Sequence, residues 1–418
     1  MRVIIAGGGI GGLVSALSLR ELGFDVHVYE AVQEVRPLGV GINVLPHAVR
    51  ELMELGLGPA LERAGILTAE LAYYSKHGKA IWREPRGRDA GYAWPQVSIH
   101  RGQLHMLLLE TVQARLGADR LHLGHALDSF TQNARGVTAH FVDRDGAPLV
   151  AAEGDVLIGA DGIHSRTRRQ LFPNEGAPAW NGTLLWRGVT VGAPFLTGRS
   201  MIMAGHETQK FVAYPIAHER DGRALINWIA ELRFAPGECA VRETWNAPGD
   251  LDEFLPRFQS WKFGWLDVPR LITEAEHVYV YPLVDRDPLP HWSEGRVTLL
   301  GDAAHPMYPV GSNGASQAVL DARVLTSCLR DASDVESGLA KYESVRRPAT
   351  AALTLANRQQ GPEACMTLVE ARAPDGFTDV ADVVTQDELE AISSKYKRLA
   401  GFSVDELNRR PSLAAVRY

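Results

Sequence analysis

The start of the chain alternates apolar runs of strand type with a segment of helical apolar spacing. Arg2–Ala6 is apolar and contains β-branched residues, which predicts a buried parallel strand. Leu13–Leu22 has helical spacing and is followed by Gly23, a residue that commonly ends helices. Val26–Glu30 then repeats the strand pattern. Because strands joined through a helix run parallel, this pattern predicts a β–α–β unit.

The pattern continues up to about residue 158 with further elements of both kinds. The predicted elements are helices Pro46–Leu57 and Gly102–Leu116, a hairpin of Leu71–Tyr74 and Lys79–Trp82, a strand meander over 121–152, and a buried strand, Asp155–Ile158.

Strands rich in aromatic residues dominate from about residue 180 to 278, which predicts a second domain built on an antiparallel sheet. Its predicted strands are Leu184–Val191, Lys210–Pro215 and Ala224–Leu232, with a helical stretch at Leu251–Gln259. Arg296–Leu300 returns to the buried-strand pattern and is followed by a glycine-bearing loop and a helix through Leu329. The first domain is therefore expected to be discontinuous, and the rest of the chain mainly helical.

Composition narrows the class of protein. The 418 residues are 45% hydrophobic and 22% charged, with a net charge of −7, so no basic excess favours nucleic-acid binding. The three cysteines, Cys239, Cys328 and Cys365, are too widely spaced for a disulfide framework, and the 14 histidines show no metal-ligand spacing. No metal is therefore expected. The absence of a leader and of a membrane-length apolar stretch predicts a cytoplasmic protein.

A glycine loop follows the first strand. In Gly7-Gly8-Gly9-Ile10-Gly11-Gly12, Gly7 permits the tight turn, Gly9 lets the backbone approach a pyrophosphate, and Gly12 lets helix and strand pack closely. The N-terminus of the helix would stabilise the anion, and Glu30 would accept a hydrogen bond from a ribose hydroxyl. A glycine turn without a ligand is the alternative, and the loop alone does not separate FAD from NAD.

A second segment favours FAD. The strand before Asp302 ends in Gly301-Asp302, and a carboxylate at that position can bind a ribityl hydroxyl. The small-residue run 306–317 then leads into a helix whose N-terminus could face the flavin ring. A plain loop with a capping aspartate is the alternative.

A third segment, 159–168, also follows a buried strand. Asp161 and Gly162 are expected to order the loop, and Arg168 to fix it by charge-assisted hydrogen bonds. A helix cap at Asp161 is compatible with this interpretation.

These three segments, in this order, resemble the motifs of the flavoprotein monooxygenases typified by p-hydroxybenzoate hydroxylase, over residues 1 to about 360. Shorter matches at 36–43, 186–188, 281–292 and 309–317 resemble the phenazine-carboxylate monooxygenase branch, whose members hydroxylate and decarboxylate an N-heteroaromatic acid. The resemblance implies an α/β Rossmann-like FAD-binding domain of the glutathione reductase type, with an inserted antiparallel substrate domain and C-terminal helices.

The resemblance also implies bound FAD, with NAD(P)H as a transient co-substrate and O2 as the oxidant. Arg101 resembles the family's arginine that contacts the FAD phosphates and ribityl chain. The full set of expected FAD-binding residues is Gly7, Gly9, Ile10, Gly11, Gly12, Glu30, Ala31, Gly41, Arg101, Asp161, Gly162, Arg168, Gly301, Asp302, Pro309, Gly311, Asn313, Gly314 and Ala315.

The candidate substrate residues are less specific. Trp186, Tyr214 and Trp228 lie on strands of the second domain and are either pocket wall or core. Arg187 could pair with a substrate carboxylate, and a surface salt bridge is the alternative. Pro309 is a further candidate substrate contact. His47 and Tyr214 are the candidate catalytic side chains, His47 with a surface position at a helix start as the alternative.

The expected function is NAD(P)H- and O2-dependent hydroxylation of a small aromatic or N-heteroaromatic acid, with or without decarboxylation, through a flavin C4a-hydroperoxide. A halogenase or reductase on the same fold and a flavin-binding redox sensor are the alternatives, and we expect a monomer or homodimer. The predicted division assigns 1–72, 96–178 and 279–360 to the FAD-binding domain, 73–95 and 179–278 to the substrate domain, and 361–418 to a C-terminal helical segment. The basic end of that segment, Arg409, Arg410 and Arg417, favours a solvated helix face or an oligomer contact.

Overall fold

The structure is a computed structural model that describes residues 1–37, 39–219, 221–235, 237–238 and 247–415. Two residues named in the sequence predictions, Cys239 among the cysteines and Arg417 at the basic C-terminal end, lie outside these ranges. Cys328 and Cys365 are free, and both are buried.

The strands are numbered in chain order. They are β1 Arg2–Ala6, β2 Asp25–Glu30, β3 Gly41–Val44, β4 Ile66–Thr68, β5 Glu70–Tyr74, β6 Ala80–Pro85, β7 Gln96–His100, β8 Leu121–Leu123, β9 Ala126–Asn133, β10 Gly136–Val142, β11 Ala152–Gly154, β12 Val156–Gly159, β13 Ala179–Gly192, β14 Ser200–His206, β15 Gln209–His218, β16 Ala224–Arg233, β17 Ala247–Pro248, β18 Lys262–Phe263, β19 Leu266–Asp267, β20 Val278–Asp285, β21 Ser293–Glu294 and β22 Val297–Leu299.

The α-helices follow the same convention. They are α1 Ile10–Glu21, α2 Pro46–Glu54, α3 Gly58–Ala64, α4 Arg101–Leu116, α5 Arg166–Leu171, α6 Leu255–Phe258, α7 Val268–Thr273, α8 Gly314–Asp331, α9 Val335–Arg358, α10 Ala364–Arg372, α11 Gln386–Leu399 and α12 Val404–Arg409.

A six-stranded sheet in the order β21-β22-β12-β1-β2-β8 forms the first layer of the fold. All its pairings are parallel except that of β21 with β22. The predicted β–α–β unit is confirmed, and β1 has the predicted bounds. Helices α1, α4 and α8 contribute to one core with this sheet, which explains why its central strands β1, β12 and β22 are mostly apolar.

An eight-stranded sheet in the order β17-β20-β13-β16-β15-β14-β5-β6 forms the second layer. It is antiparallel except for the pairing of β14 with β5. One face packs on an aromatic cluster that includes Trp186, Trp228 and Phe254. The other face packs on the C-terminal helices through residues that include Met366 and Leu389.

The sheets correct several of the sequence predictions. The helix predicted over Pro46–Leu57 ends at Glu54, because Gly56 adopts the left-handed region, and a further helix that the sequence did not predict, α3, begins at Gly58. The predicted meander is divided, since β8 joins the six-stranded sheet and β9, β10 and β11 form a sheet of their own. Strands β5 and β20 belong to the larger sheet, so the predicted domain boundaries at 72/73 and 278/279 cut strands. The other boundaries stay predictions.

Within the described ranges, no helix is long and apolar enough to cross a membrane.

Candidate functional site

A cavity of about 370 Å³ lies between the two layers. On one side are the segments that follow β1, β12 and β22, and on the other are β14, β15 and β16. The predicted site residues that line this cavity are Gly9, Ile10, Gly11, Gly41, Arg101, Gly162, Arg187, Tyr214, Gly301, Asp302, Pro309, Gly314 and Ala315. The site therefore lies outside the carboxyl ends of parallel strands, where α/β sheets commonly bind ligands.

The glycine loop needs glycine for three different reasons. Gly7 has φ +110°, and a Cβ there would lie 2.2 Å from the Ala160 carbonyl oxygen. A Cβ at Gly12 would lie 2.0 Å from the Gly7 carbonyl oxygen, so any side chain would force α1 away from β1. A Cβ at Gly9 would meet no described atom within 4 Å, and Gly9 lines the cavity. Gly7 and Gly12 thus build the turn, and Gly9 leaves room for a ligand.

Glu30, at the end of β2, is held against the glycine loop. Its carboxylate accepts hydrogen bonds from the Gly8 amide at 2.7 Å and the Val32 amide at 3.0 Å. The neighbouring Ala31 is exposed. Glu30 lies outside the cavity lining but is fixed beside the loop that forms one end of it.

Asp161 orders the loop after β12, as predicted. Its carboxylate accepts hydrogen bonds from the Ser165 hydroxyl at 2.5 Å and from the amides of Arg166 and Thr167 at 2.8 and 3.0 Å. The residue immediately before α5 is Ser165, whose side chain accepts from the Arg168 amide. Asp161 therefore shapes the loop, and Gly162 is the residue of this motif that lines the cavity.

Arg168 fixes this loop by charge-assisted hydrogen bonds, as predicted, and it lies behind the cavity without lining it, so its predicted contact with FAD stays a prediction. Its guanidinium is buried and donates to the carbonyls of Ala303 and Ala304, both at 3.0 Å, and it forms an ion pair with Glu175. It consequently ties the Asp161 motif to the segment that carries Asp302.

Asp302 is exposed to the cavity at the end of β22. The preceding Gly301 has φ +61°, and its amide donates to the Asp321 carboxylate at 3.1 Å. Asp321 is fully buried on α8 and also bonds His305 at 2.5 Å and Arg346 at 2.7 Å. Burial alone would raise the Asp321 pKa, but these two partners lower it to about 2. The buried carboxylate thereby fixes the backbone that presents Asp302.

The loop from Pro309 to Gly314 divides between the cavity and the protein interior. Pro309 and Gly314 line the cavity, whereas Gly311 and Asn313 do not, and the predicted contact of these two residues with FAD stays a prediction. A Cβ at Gly311 would lie 2.4 Å from the Tyr396 hydroxyl, and the Asn313 amide donates to that hydroxyl at 3.0 Å. These two residues thus anchor the loop on α11, in the tail where the sequence predicted no contribution to the site.

Two helix N-termini open onto this cavity. Gly9 to Gly11 begin α1, and Gly314 and Ala315 begin α8. No described side chain caps either helix, and a Cβ at Gly314 would meet no described atom within 4 Å. The free amides of the first turn of a helix stabilise negative charge, so both ends of the cavity suit an electron-rich ligand.

Arg187 on β13 lines the opposite side of the cavity. Its Nη2 donates to the Gly41 carbonyl at 3.0 Å, and its guanidinium lies 5.9 Å from the centre of the Tyr281 ring. Nε is buried without a hydrogen bond, and no carboxylate of the described ranges forms an ion pair with the side chain. Burial lowers the pKa of the Arg187 guanidinium. The alternative of a surface salt bridge is wrong, since this partly buried cation lines a cavity and forms no ion pair with a described carboxylate.

Gly41 brings β3 against β16 of the larger sheet. A Cβ there would lie 2.6 Å from the Cβ of Asn227, and the Gly41 amide donates to the Asn227 side chain at 2.6 Å. Gly41 therefore joins the two layers and accepts the hydrogen bond that orients Arg187.

Tyr214 also lines the cavity, and burial raises the pKa of its hydroxyl to about 12. Trp186 and Trp228 do not, and their candidate substrate role is corrected. Trp186 stacks on Phe254 with ring centres 4.8 Å apart, and the Trp228 indole donates to the Thr190 hydroxyl at 3.0 Å. Both tryptophans lie in the core on the far face of the sheet because successive residues of a strand point to opposite faces.

His47 is neither a surface residue nor part of the cavity lining. It is fully buried in the first turn of α2 and stacks on Phe402 with ring centres 5.1 Å apart. Burial holds the pKa of His47 well below its usual value. The candidate catalytic role is corrected, because the neutral ring packs on the C-terminal segment.

Three charged residues that sequence reasoning missed line the same cavity. Lys210 Nζ lies 2.9 Å from the Glu231 carboxylate and is also paired with Glu363. Lys210 and Glu231 face each other across β15 and β16. Strand alternation carried a signal for Lys210, since it lies four positions before Tyr214 and shares its face. Glu363 lies in a 3₁₀ turn, Gly361–Glu363, for which the sequence holds no such signal.

The described residues include no group of His, Cys, Asp and Glu side chains that could hold a metal ion.

The sequence model of the family described as "FAD binding domain" matches residues 1–356. The phenazine 1,6-dicarboxylic acid hydroxylase PhzS of Lysobacter antibioticus is 47% identical over 363 residues, which cover 86% of this chain and 89% of that protein. The 3-amino-4-hydroxybenzoate 2-monooxygenase PtnB3 of Streptomyces platensis is 33% identical, covering 87% and 88% of the two chains. A salicylate hydroxylase substrate complex is similar in structure, with a TM-score of 0.74, 26% identity, and coverage of 99% and 98%.

Proposed function

Since the chain belongs to the FAD-binding-domain family of class A aromatic monooxygenases and is itself an FAD-dependent monooxygenase, we propose that it hydroxylates a small N-heteroaromatic carboxylic acid whose carboxylate binds Arg187. NAD(P)H and O2 are the co-substrates of this class. A phenazine carboxylic acid is the first candidate substrate, because the hydroxylase of Lysobacter antibioticus is 47% identical over most of both chains. The redox sensor and the halogenase receive no support from these relatives.

The cavity residues fit FAD. The uncapped first turn of α1 suits a pyrophosphate, and Gly9 leaves the space that a phosphate would fill. The Glu30 carboxylate is held where it can accept from a ribose hydroxyl, and the Asp302 carboxylate faces the cavity for the ribityl chain. The N-terminus of α8 at Gly314 suits the electron-rich ring. When bound, FAD accepts hydride from NAD(P)H and activates O2 for hydroxylation.

The observation that carries the proposed substrate class is the partly buried guanidinium of Arg187, which lines the cavity and whose Nε is buried without a hydrogen bond. A cation enclosed by protein is costly without a hydrogen-bonded partner, and no described carboxylate lies within ion-pair distance of Arg187, whose Nε has no hydrogen bond. Its hydrogen bond to Gly41 fixes the direction in which the remaining N–H groups point. A planar carboxylate would satisfy those groups by two parallel hydrogen bonds, and this supports an aromatic acid as the ligand.

The walls around Arg187 suit an aromatic ring. Met201, Met203, Val212 and Ile229 line the cavity with apolar side chains. Thioether sulfur and aliphatic groups pack favourably on aromatic rings and exclude water from the reacting carbon. We infer that these side chains hold the ring while Arg187 sets its orientation.

A titration of the purified holoenzyme tests the proposal. Phenazine-1-carboxylic acid, followed through the visible absorbance of the flavin, is expected to bind more tightly than phenazine-1-carboxamide, which has the same rings and no charge. Repeating the titration with quinoline and pyridine acid–amide pairs defines the ring size. Equal affinity for acid and amide across all pairs would refute carboxylate recognition by Arg187.

A further inference from the structure

Lys210, Glu231 and Glu363 form a buried cluster that the proposed chemistry does not yet use. Lys210 Nζ is paired with both carboxylates, at 2.9 Å from Glu231, and all three side chains are almost fully enclosed. When all three are ionised the cluster carries one positive and two negative charges. Two buried carboxylates that share one ammonium repel each other, so one of them gains a proton readily.

The cluster stands between two cavities. Lys210, Glu231 and Glu363 line the main cavity and also a second one of about 240 Å³. That outer cavity extends to Glu207 and Arg233, whose side chains are exposed. Because one water occupies roughly 30 Å³, the outer cavity has room for several waters. A proton can therefore reach the cluster from solvent without passing through the substrate cavity.

We propose that Glu231 takes up one proton when an aromatic carboxylate binds Arg187, and that this proton comes from water in the outer cavity. The proposal rests on the proposed function, since it requires the substrate's carboxylate at Arg187. The transfer is a simple one: a hydronium ion or buffer acid in the outer cavity loses a proton, and a Glu231 carboxylate oxygen gains it.

The charges that face Glu231 explain the direction of the effect. Burial raises the pKa of Glu231, Lys210 lowers it, Glu363 raises it, and Arg187 lowers it. A carboxylate bound at Arg187 neutralises that cation and adds a negative charge to the same cavity. Both changes favour the protonated form of Glu231.

The resulting pH dependence has a defined sign. Glu231 is protonated in both states at low pH and ionised in both at high pH, so proton uptake occurs only in the window between its pKa in the free enzyme and its pKa in the complex. Through that window the apparent Kd of the acid rises by up to about tenfold per pH unit. The uncharged amide leaves Arg187 unneutralised and binds without this dependence.

Isothermal titration calorimetry on the holoenzyme measures the uptake directly. Phenazine-1-carboxylic acid and its carboxamide are titrated in two buffers with different ionisation enthalpies, from about pH 5 to 8. The apparent binding enthalpy of the acid is expected to differ between the two buffers. This difference, divided by the difference in their ionisation enthalpies, gives the number of protons taken up, which should reach up to about one. Glu231→Gln is expected to remove the difference, and the matched control Glu274→Gln, at an exposed carboxylate paired with Arg270, to retain it. Glu363→Gln keeps Glu231 and is expected to move the uptake to lower pH.

The outcomes separate the two proposals. Tight binding of the acid with equal enthalpies in both buffers at every pH would overturn proton uptake and leave the Arg187 role intact. Uptake that persists in Glu231→Gln, or that Glu363→Gln does not shift, would overturn the assignment to this cluster. Acid that binds no more tightly than the amide would overturn the proposed function, and the uptake with it.

Discussion

Replacing Arg187 by methionine is the change that should separate carboxylate recognition from every other role of the cavity. Methionine keeps an unbranched apolar stem and removes the guanidinium, which lines the cavity and donates to the Gly41 carbonyl at 3.0 Å. For an acidic substrate, the variant leaves a carboxylate in a buried cavity without its cation.

The magnitude follows from the burial of the pair. Removing one partner of a buried, hydrogen-bonded charge pair costs about 2–5 kcal/mol. At 1.4 kcal/mol per factor of ten, kcat/KM for the acid should fall roughly 30- to 4,000-fold. The lost bond to Gly41 affects acid and amide alike and is worth about 0.5–1.5 kcal/mol, so the amide should lose no more than about tenfold.

The assay is steady-state NAD(P)H oxidation with the acid and the amide, together with the FAD content of the variant. A normal FAD content and a selective loss for the acid would support the account. If kcat/KM fell by the same factor for both ligands at full FAD occupancy, Arg187 would have only a structural role.

Three further changes test the cofactor site and its support. Asp302→Ala is expected to give largely colourless protein, because its carboxylate faces the cavity; full FAD content by absorbance would remove it from the binding set. Gly12→Ala places a Cβ 2.0 Å from the Gly7 carbonyl oxygen and should destabilise the protein by about 1–3 kcal/mol in thermal unfolding, whereas an unchanged melting temperature would mean that the turn can shift. Buried partners hold the Asp321 pKa at about 2 against an ordinary 3.8. Asp321 therefore contributes on the order of 2 kcal/mol to the free energy of unfolding above pH 3.8, and this contribution is lost as the pH falls towards 2. Acid unfolding of Asp321→Asn should lack this component, and a curve parallel to that of the wild type would contradict it.

The parts of the fold that the sequence predicted best are those in which one residue type is required by backbone geometry. The turn at Gly7 needs a positive φ, and Gly12 needs the absence of a Cβ, so both could be recognised without any tertiary information. The apolar runs of β1 and β12 indicated burial on both faces and hence a parallel sheet. The shared core of that sheet with α1 and α8 follows from the same pattern.

The substrate side is harder to predict because the sequence does not state which face of each strand lines a cavity. Trp186 and Arg187 are adjacent on β13 and cannot face the same side of the sheet, yet both were candidates. Lys210 lies four positions before Tyr214 on β15, so strand alternation places both side chains on the face that lines the cavity. The cross-strand register, which pairs Lys210 with Glu231, would then have placed Glu231 beside it, but register is a property of the folded sheet.

The contribution of the tail could not be predicted from local pattern. Tyr396 on α11 donates to the Val310 carbonyl at 3.0 Å and accepts from Asn313, across a long separation in the chain. Neither contact has a signature in spacing or composition, since both depend on where α11 packs. The same holds for Glu363, which approaches Lys210 from a short turn.

The most direct test of the central claim is the fate of oxygen. Purified yellow holoenzyme is supplied with NAD(P)H, phenazine-1-carboxylic acid and isotopically labelled dioxygen, and the product is analysed by mass spectrometry. The account predicts NAD(P)H oxidation that the acid stimulates, and one labelled oxygen atom in each product molecule. The account would be contradicted if the FAD-loaded enzyme oxidised NAD(P)H at the same rate with and without each acid of the phenazine, quinoline and pyridine panel, and left every acid unlabelled.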